Sequence, residues 1–190
     1  MRLLLVDNYD SFTYNLAHLL AEHLPVDVFR NREIPWDHLS QYSHICLSPG
    51  PGLPQDAGEM MKLIDHCYHH KPILGVCLGM QALAIHHGAS LYNQKKVRHG
   101  LSRTIKIEQG ESILFQNLPK SLEVGLYHSW AINENEIHQP WKITARSEEG
   151  VLMAMEAPEL GHAAVQFHPE SIMTPSGKEM VRNWLARTSG

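Results

Sequence analysis

Pro72-Ile73-Leu74-Gly75-Val76-Cys77-Leu78-Gly79-Met80-Gln81 carries the apolar run of a buried strand straight into a cysteine flanked by Gly75 and Gly79. That is the pattern of a nucleophile elbow, a sharp turn between strand and helix that strains its central residue and needs glycine where backbone and substrate approach closely. The elbow lifts the Cys77 sulfur clear of the sheet. It also leaves the Leu78 amide unpaired at a helix N-terminus, where the positive end of the dipole favours thiolate and can stabilise a developing oxyanion. The pattern alone is shared with ordinary buried cysteines, so other segments must decide between a nucleophile and a core residue.

His168-Pro169-Glu170 decides it. These residues follow the apolar run Ala163-Ala164-Val165-Gln166-Phe167, which places His168 at the end of a strand that the fold can carry over the cysteine. In extended backbone, residues two apart face the same way, and Pro169 biases His168 toward that geometry. Glu170 can then accept a hydrogen bond from one imidazole nitrogen while the other faces Cys77. The arrangement is nucleophile, base and orienter.

Ser48-Pro49-Gly50-Pro51-Gly52 leaves the end of another apolar run, Ile45-Cys46-Leu47. Its prolines carry no N–H, so the amides of Gly50 and Gly52 are the donors that a rigid turn can aim, and a second oxyanion contact is one use for them. A plain tight turn is the alternative reading of the same residues.

P-G-P-G, G-V-C-L-G-x-Q, Y-H-S and Q-F-H-P-E, in that order, resemble the triad class of glutamine amidotransferases across nearly the whole chain. The opening Leu4-Leu5-Val6-Asp7-Asn8-Tyr9-Asp10-Ser11-Phe12-Thr13 is similar to the start of the amidotransferase subunits of anthranilate and aminodeoxychorismate synthases. The resemblance implies a class I glutamine amidotransferase-like, flavodoxin-like fold and hydrolysis of L-glutamine by Cys77, His168 and Glu170. It implies an oxyanion site at the Leu78 and Gly52 amides. Gln81 would contact bound glutamine, and the main chain around Ser129 and Trp130 would hold its head group. Ammonia would pass to a chorismate-using synthase subunit, either anthranilate synthase component I or aminodeoxychorismate synthase component I, with anthranilate the favoured product. Lys96-Val97-Arg98-His99-Gly100-Leu101 resembles a family segment near that partner, with Leu101 where the family usually has lysine. The family also commonly has histidine at Met80 and leucine at Trp130; neither difference removes a group that the triad needs.

Outward from the elbow, strands and helices alternate. Leu3 to Val6 reads as a short buried strand, Leu16, Leu19, Leu20 and Leu24 follow helical spacing until Pro25, and Val26 to Phe29 reads as the next strand. Asp56 and Glu59 form a capping-box pattern before a helix that carries Met60, Ile64 and Cys67 and ends at Lys71-Pro72. Gly88 is placed to cap the elbow helix. The second half is richer in strands, over 101–107, 151–155 and 163–167, before a last helix opened by Ser176 and Glu179. These units predict a three-layer α/β sandwich around a mixed, largely parallel sheet. The 190 residues are read as one domain, 1–190.

The formal net charge of −4 and scattered basic residues leave no footprint for nucleic acid. No apolar run approaches membrane-spanning length, no signal peptide is read, and three unpaired cysteines suit a reducing compartment; a cytoplasmic protein is expected. Cys46 and Cys67 read as buried thiols. His66, His69 and His70 invite a metal reading, but no carboxylate or cysteine pair completes a site, and the triad chemistry requires no cofactor. A stand-alone cysteine hydrolase or peptidase would use the same triad, whereas a binding-only relative would be expected to lose a member of it.

Overall fold

The computed structural model describes residues 1–94, 100–108 and 110–188. In chain order its elements are β1 (Leu3–Asp7), α1 (Thr13–Ala21), β2 (Val26–Arg30), β3 (His44–Leu47), α2 (Met60–Cys67), β4 (Ile73–Val76), α3 (Leu78–His86) and β5 (Leu91–Asn93). Then follow β6 (Leu101–Ile107), β7 (Ser121–Leu126), β8 (Trp130–Ile132), β9 (Lys142–Ser147), β10 (Leu152–Ala157), β11 (His162–Val165) and α4 (Gly177–Thr188). Of the partner-contact segment read above, residues 96–99 lie outside the described residues.

A nine-stranded sheet runs in the order β2-β1-β3-β4-β11-β10-β9-β6-β7. The first five strands pair in parallel, and β11-β10-β9-β6-β7 pair antiparallel. Side chains alternate across the sheet, so β1 splits its leucines between two cores. Leu3 and Leu5 pack with Leu16 and Leu20 of α1 and with Met180 and Trp184 of α4. Leu4 and Val6 pack with Met60, Leu63 and Ile64 of α2 and with Leu83 of α3. The result is the expected three-layer α/β sandwich with a mixed sheet. Among the described residues no helix is long and apolar enough to cross a membrane.

Local expectations fail where a tertiary contact outbids a local one. The Asp56/Glu59 capping box does not form: Asp56 ends a one-turn helix at 54–56, and α2 starts at Met60 after Glu59, which makes no side-chain cap. Glu59 instead accepts from Trp36 Nε1 at 3.1 Å and pairs with Lys62 at 3.3 Å. Helix α2 also stops at Cys67, short of Lys71-Pro72. Helix α4, by contrast, starts at Gly177 directly after Ser176 as expected, and Glu179 in its first turn pairs with Arg182 one turn on.

Candidate active site

The catalytic candidates gather at the C-terminal ends of β3, β4 and β11, three adjacent strands of the parallel half, where open α/β sheets place their sites. Cys77 stands between β4 and α3 with φ +52° and ψ −100°, a conformation that a non-glycine residue adopts only when its surroundings enforce it. Its amide donates to the Val165 carbonyl of β11 at 2.8 Å, which pins the elbow to the neighbouring strand. A Cβ on Gly79 would lie 2.5 Å from the Leu47 carbonyl oxygen, so only glycine lets α3 descend onto β3 at this depth. Leu78, the first residue of α3, offers a main-chain amide with no acceptor inside the helix.

His168 arrives from the end of β11 and is braced on several sides. Its amide donates to the Gly125 carbonyl at 3.1 Å, and its own carbonyl accepts from Thr174 Oγ1 at 2.7 Å, while that same hydroxyl accepts from the Gly125 amide at 3.0 Å. The ring lies edge-on to Phe12 and Tyr127, with centroids 5.5 and 4.8 Å away. Its Nδ1–H donates to Glu170 Oε1 at 2.7 Å, and the carboxylate side chain is fully buried. Burial alone would depress the imidazole pKa. Hydrogen bonding to Cys77 and Glu170, with the charges of both, overrides burial and raises it to about 10. The Nε2 edge makes no ordinary hydrogen bond and is sealed from solvent, which leaves the sulfur as its counterpart.

The Pro49–Gly52 loop lies beside this pair. A Cβ on Gly50 would sit 2.6 Å from Asn8 and 2.8 Å from Leu78, so the loop is pressed between the turn after β1 and the elbow helix. Asn8 fixes it further: its amide donates to Ser48 Oγ at 2.8 Å and its side chain donates to the Ser48 carbonyl at 2.9 Å. Gly52, at φ +78°, is exposed at the rim.

Two cavities meet at Cys77. The first, about 180 Å³, is walled by Gly50 and Gly52 on one side, by Gln81, and by Ser129 and Trp130 on the other. Every expected substrate-contact residue except Leu78 lines it. The second, about 110 Å³, reaches Cys77 and His168 between Pro49 and the Asp10–Phe12 turn. Sequence reasoning left out Phe12, which holds the His168 ring, and gave Gln166 no role. Gln166 is a fully buried polar side chain that donates to Cys77 Sγ at 3.4 Å. Its signal was a lone amide inside an apolar run, just past the end of β11, a group that must be hydrogen-bonded there.

Cys46 and Cys67 are buried, and burial pushes both thiols up, Cys46 far up with the Glu170 charge adding to it. Such thiols are inert. His66 packs edge-on against Trp36 and His69 against Tyr68.

Comparison with known proteins identifies the family. Residues 4–188 match the sequence model of the family described as glutamine amidotransferase class-I. A Haemophilus influenzae protein assigned as an anthranilate synthase component II is 43% identical over 187 residues, 98% of this chain and 96% of its own. The aminodeoxychorismate/anthranilate synthase component 2 of Bacillus subtilis is 39% identical over 186 residues, 96% of this chain and 95% of its own. Among solved structures, a Thermoplasma acidophilum protein assigned to GMP synthase as one of its subunits superposes with a TM-score of 0.87 at 26% identity, covering 100% of this chain and 94% of that one. With the family's pattern matched from Leu4 to Thr188 and relatives this similar along nearly their full length, the chain belongs to the class I glutamine amidotransferases.

Proposed function

We propose that this chain is the glutaminase subunit of an anthranilate synthase, acting as one amidotransferase domain in the cytoplasm without a cofactor of its own. The observation that carries the glutaminase part of this reading is the buried His168–Glu170 pair beside a strained Cys77 at a cavity of about 180 Å³. L-Glutamine enters between Ser129-Trp130 and Gln81, and the Cys77 thiolate attacks its carboxamide carbon. The oxyanion falls toward the Leu78 amide and the Gly50-Gly52 loop. His168, whose raised pKa keeps it protonated at neutral pH, gives its proton to departing ammonia, then takes one from the water that releases glutamate from the thioester. Glu170 keeps the ring oriented and balances its charge.

Ammonia then passes to a chorismate-using synthase subunit. Anthranilate synthase is favoured by the component II relative with 43% identity. A second reading, aminodeoxychorismate synthase or one subunit serving both, is favoured by the Bacillus subtilis relative named for both products. Reconstitution with each synthase subunit, glutamine and chorismate separates them. Anthranilate formation supports the first reading, and glutamine-dependent aminodeoxychorismate alone overturns it. A chain with no glutaminase activity in either complex would refute both.

A further inference from the structure

Gln166 lies on no step of the mechanism above, yet both ends of its carboxamide are engaged. Its Nε2–H donates to Cys77 Sγ at 3.4 Å, and its Oε1 accepts from Gln81 Nε2 at 3.1 Å. The same Gln81 nitrogen donates to the Trp130 carbonyl at 3.2 Å. A primary amide nitrogen carries two hydrogens, so both donors of Gln81 are spent. What Gln81 can offer the cavity is its carbonyl oxygen, an acceptor. Turning the Gln81 amide over would set that oxygen against the Trp130 carbonyl and the Gln166 Oε1, so the network itself fixes which way the amide points.

We infer that Gln166 is a positioning residue that acts in two directions from one buried amide. Toward Cys77 it aims a donor at the sulfur, which favours the thiolate, a strong acceptor, over the thiol, a weak one. Toward Gln81 it sets the polarity of the pocket wall. An acceptor on that wall suits the amide hydrogens or ammonium of glutamine and repels the γ-carboxylate of glutamate. The residue therefore couples the readiness of the nucleophile to discrimination of substrate from product. This inference rests on the glutaminase reading of the same site.

Two substitutions test it. Gln166→Met keeps the volume and removes donor and acceptor; Gln166→Glu keeps an acceptor for Gln81 but turns a carboxylate on the sulfur. With Cys46 and Cys67 sealed in the core, alkylation by iodoacetamide across pH reports Cys77. Gln166→Met is expected to slow alkylation of Cys77 near neutral pH about tenfold and to lower kcat/KM for glutamine roughly tenfold, with glutamate inhibiting more strongly than in the unsubstituted protein. Gln166→Glu is expected to slow alkylation further. Gln81→Met cuts the same chain from its other end, and the double substitution with Gln166→Met should fall short of the product of the two single losses. Folding is checked by near-UV circular dichroism and melting temperature. Folded variants with an unchanged alkylation profile and unchanged glutamate inhibition overturn the inference, and so does a purely structural outcome in which only the melting temperature falls. If Gln166→Met does not fold, a Cys77 profile unmoved by Gln81→Met overturns it instead. Because alkylation needs no turnover, a chain without glutaminase activity would sink the functional reading while still testing this one.

Discussion

Replacing His162 by glutamine should remove an acid-sensitive clamp from the strand that delivers His168. His162 opens β11 and is fully buried. Its Nδ1 accepts from the Ile73 amide of β4 at 3.2 Å, and its Nε2–H donates to the Tyr68 carbonyl at 2.8 Å. Both nitrogens are thus satisfied only in the neutral ring. Protonation would turn a second N–H against the Ile73 amide and bury a charge. Burial lowers its pKa to about 4, with the Tyr68 carbonyl opposing only in part. The folded state therefore binds this proton more weakly than the unfolded chain, where the pKa is about 6.5. Stability is unaffected by this group above about pH 6.5, falls as pH drops from 6.5 to 4, and then levels off. The difference, 6.5 − 4, at 1.36 kcal/mol for each pKa step sets a ceiling of about 3.4 kcal/mol, of which about 2.5 kcal/mol is lost by pH 4.5.

Glutamine keeps a donor and an acceptor but does not titrate. Urea unfolding of both proteins at pH 7.5 and 4.5 isolates the effect, because the other titrating groups are common to both and cancel when the proteins are compared, apart from the smaller coupling of His69 and His86 to His162. His44 and His86, lowered chiefly by burial, act in the same direction as His162, and His168 in the opposite one. His162→Gln is expected to be about 1–2 kcal/mol less stable at pH 7.5 through imperfect packing, but to lose about 2.5 kcal/mol less on acidification. Parallel losses in the two proteins would refute the reasoning.

Further expectations follow from the same geometry. Cys77→Ala should abolish glutamine-dependent product formation by the complex and leave ammonia-dependent synthesis largely intact; equal loss of both in a steady-state assay would make Cys77 a structural residue. Glu170→Gln should lower kcat on the order of 100-fold with a smaller change in KM, because the ring loses its charged anchor while the pocket is untouched. It should also lower the basic limb of the pH–rate profile, since the Glu170 charge helps to hold the His168 pKa up. Gly79→Ala should cost about 1–3 kcal/mol in denaturant unfolding, since its methyl would lie 2.5 Å from the Leu47 oxygen and 2.7 Å from the Leu47 Cβ. Free glutaminase turnover should be weak and should rise when the synthase subunit docks; full turnover by the isolated chain, unchanged on adding the partner, would contradict that coupling.

What was legible in the sequence was what local chemistry dictates. The elbow needs small neighbours and an apolar strand, and both stand in one run of ten residues. The parallel strands β1, β3, β4 and β11 are buried on both faces and read as apolar runs. Strands β7 and β9 were missed for the opposite reason. Ser121–Leu126 begins with exposed positions that alternate with buried ones, and Lys142–Ser147 mixes lysine, threonine, arginine and serine into a half-buried strand at the antiparallel side. β7 pairs with the preceding strand β6 and β9 with the following strand β10, and only the β6–β9 pairing spans a long stretch of chain. Asp56 and Glu59 show the converse error, a correct local signal overruled when Trp36 offered Glu59 a partner. Gln166 was hidden because its role depends on two residues 85 and 89 positions away.

The triad was legible and the nitrogen acceptor was not, and the difference is physical. Cys77 follows the end of β4, His168 lies just past β11 and Glu170 in the turn after it, so the glutaminase chemistry is written into short segments of this chain. On the proposed reading the acceptor is bound by the synthase subunit. A fold likeness at a TM-score of 0.87 to a protein assigned to GMP synthase, beside relatives named for anthranilate and aminodeoxychorismate, spans several acceptors with one scaffold. Ammonia carries no mark of the product it will enter, and no residue that releases it need differ among these enzymes. Specificity for the product must then reside where ammonia is consumed, and for this chain it reduces to which synthase subunit its surface will dock.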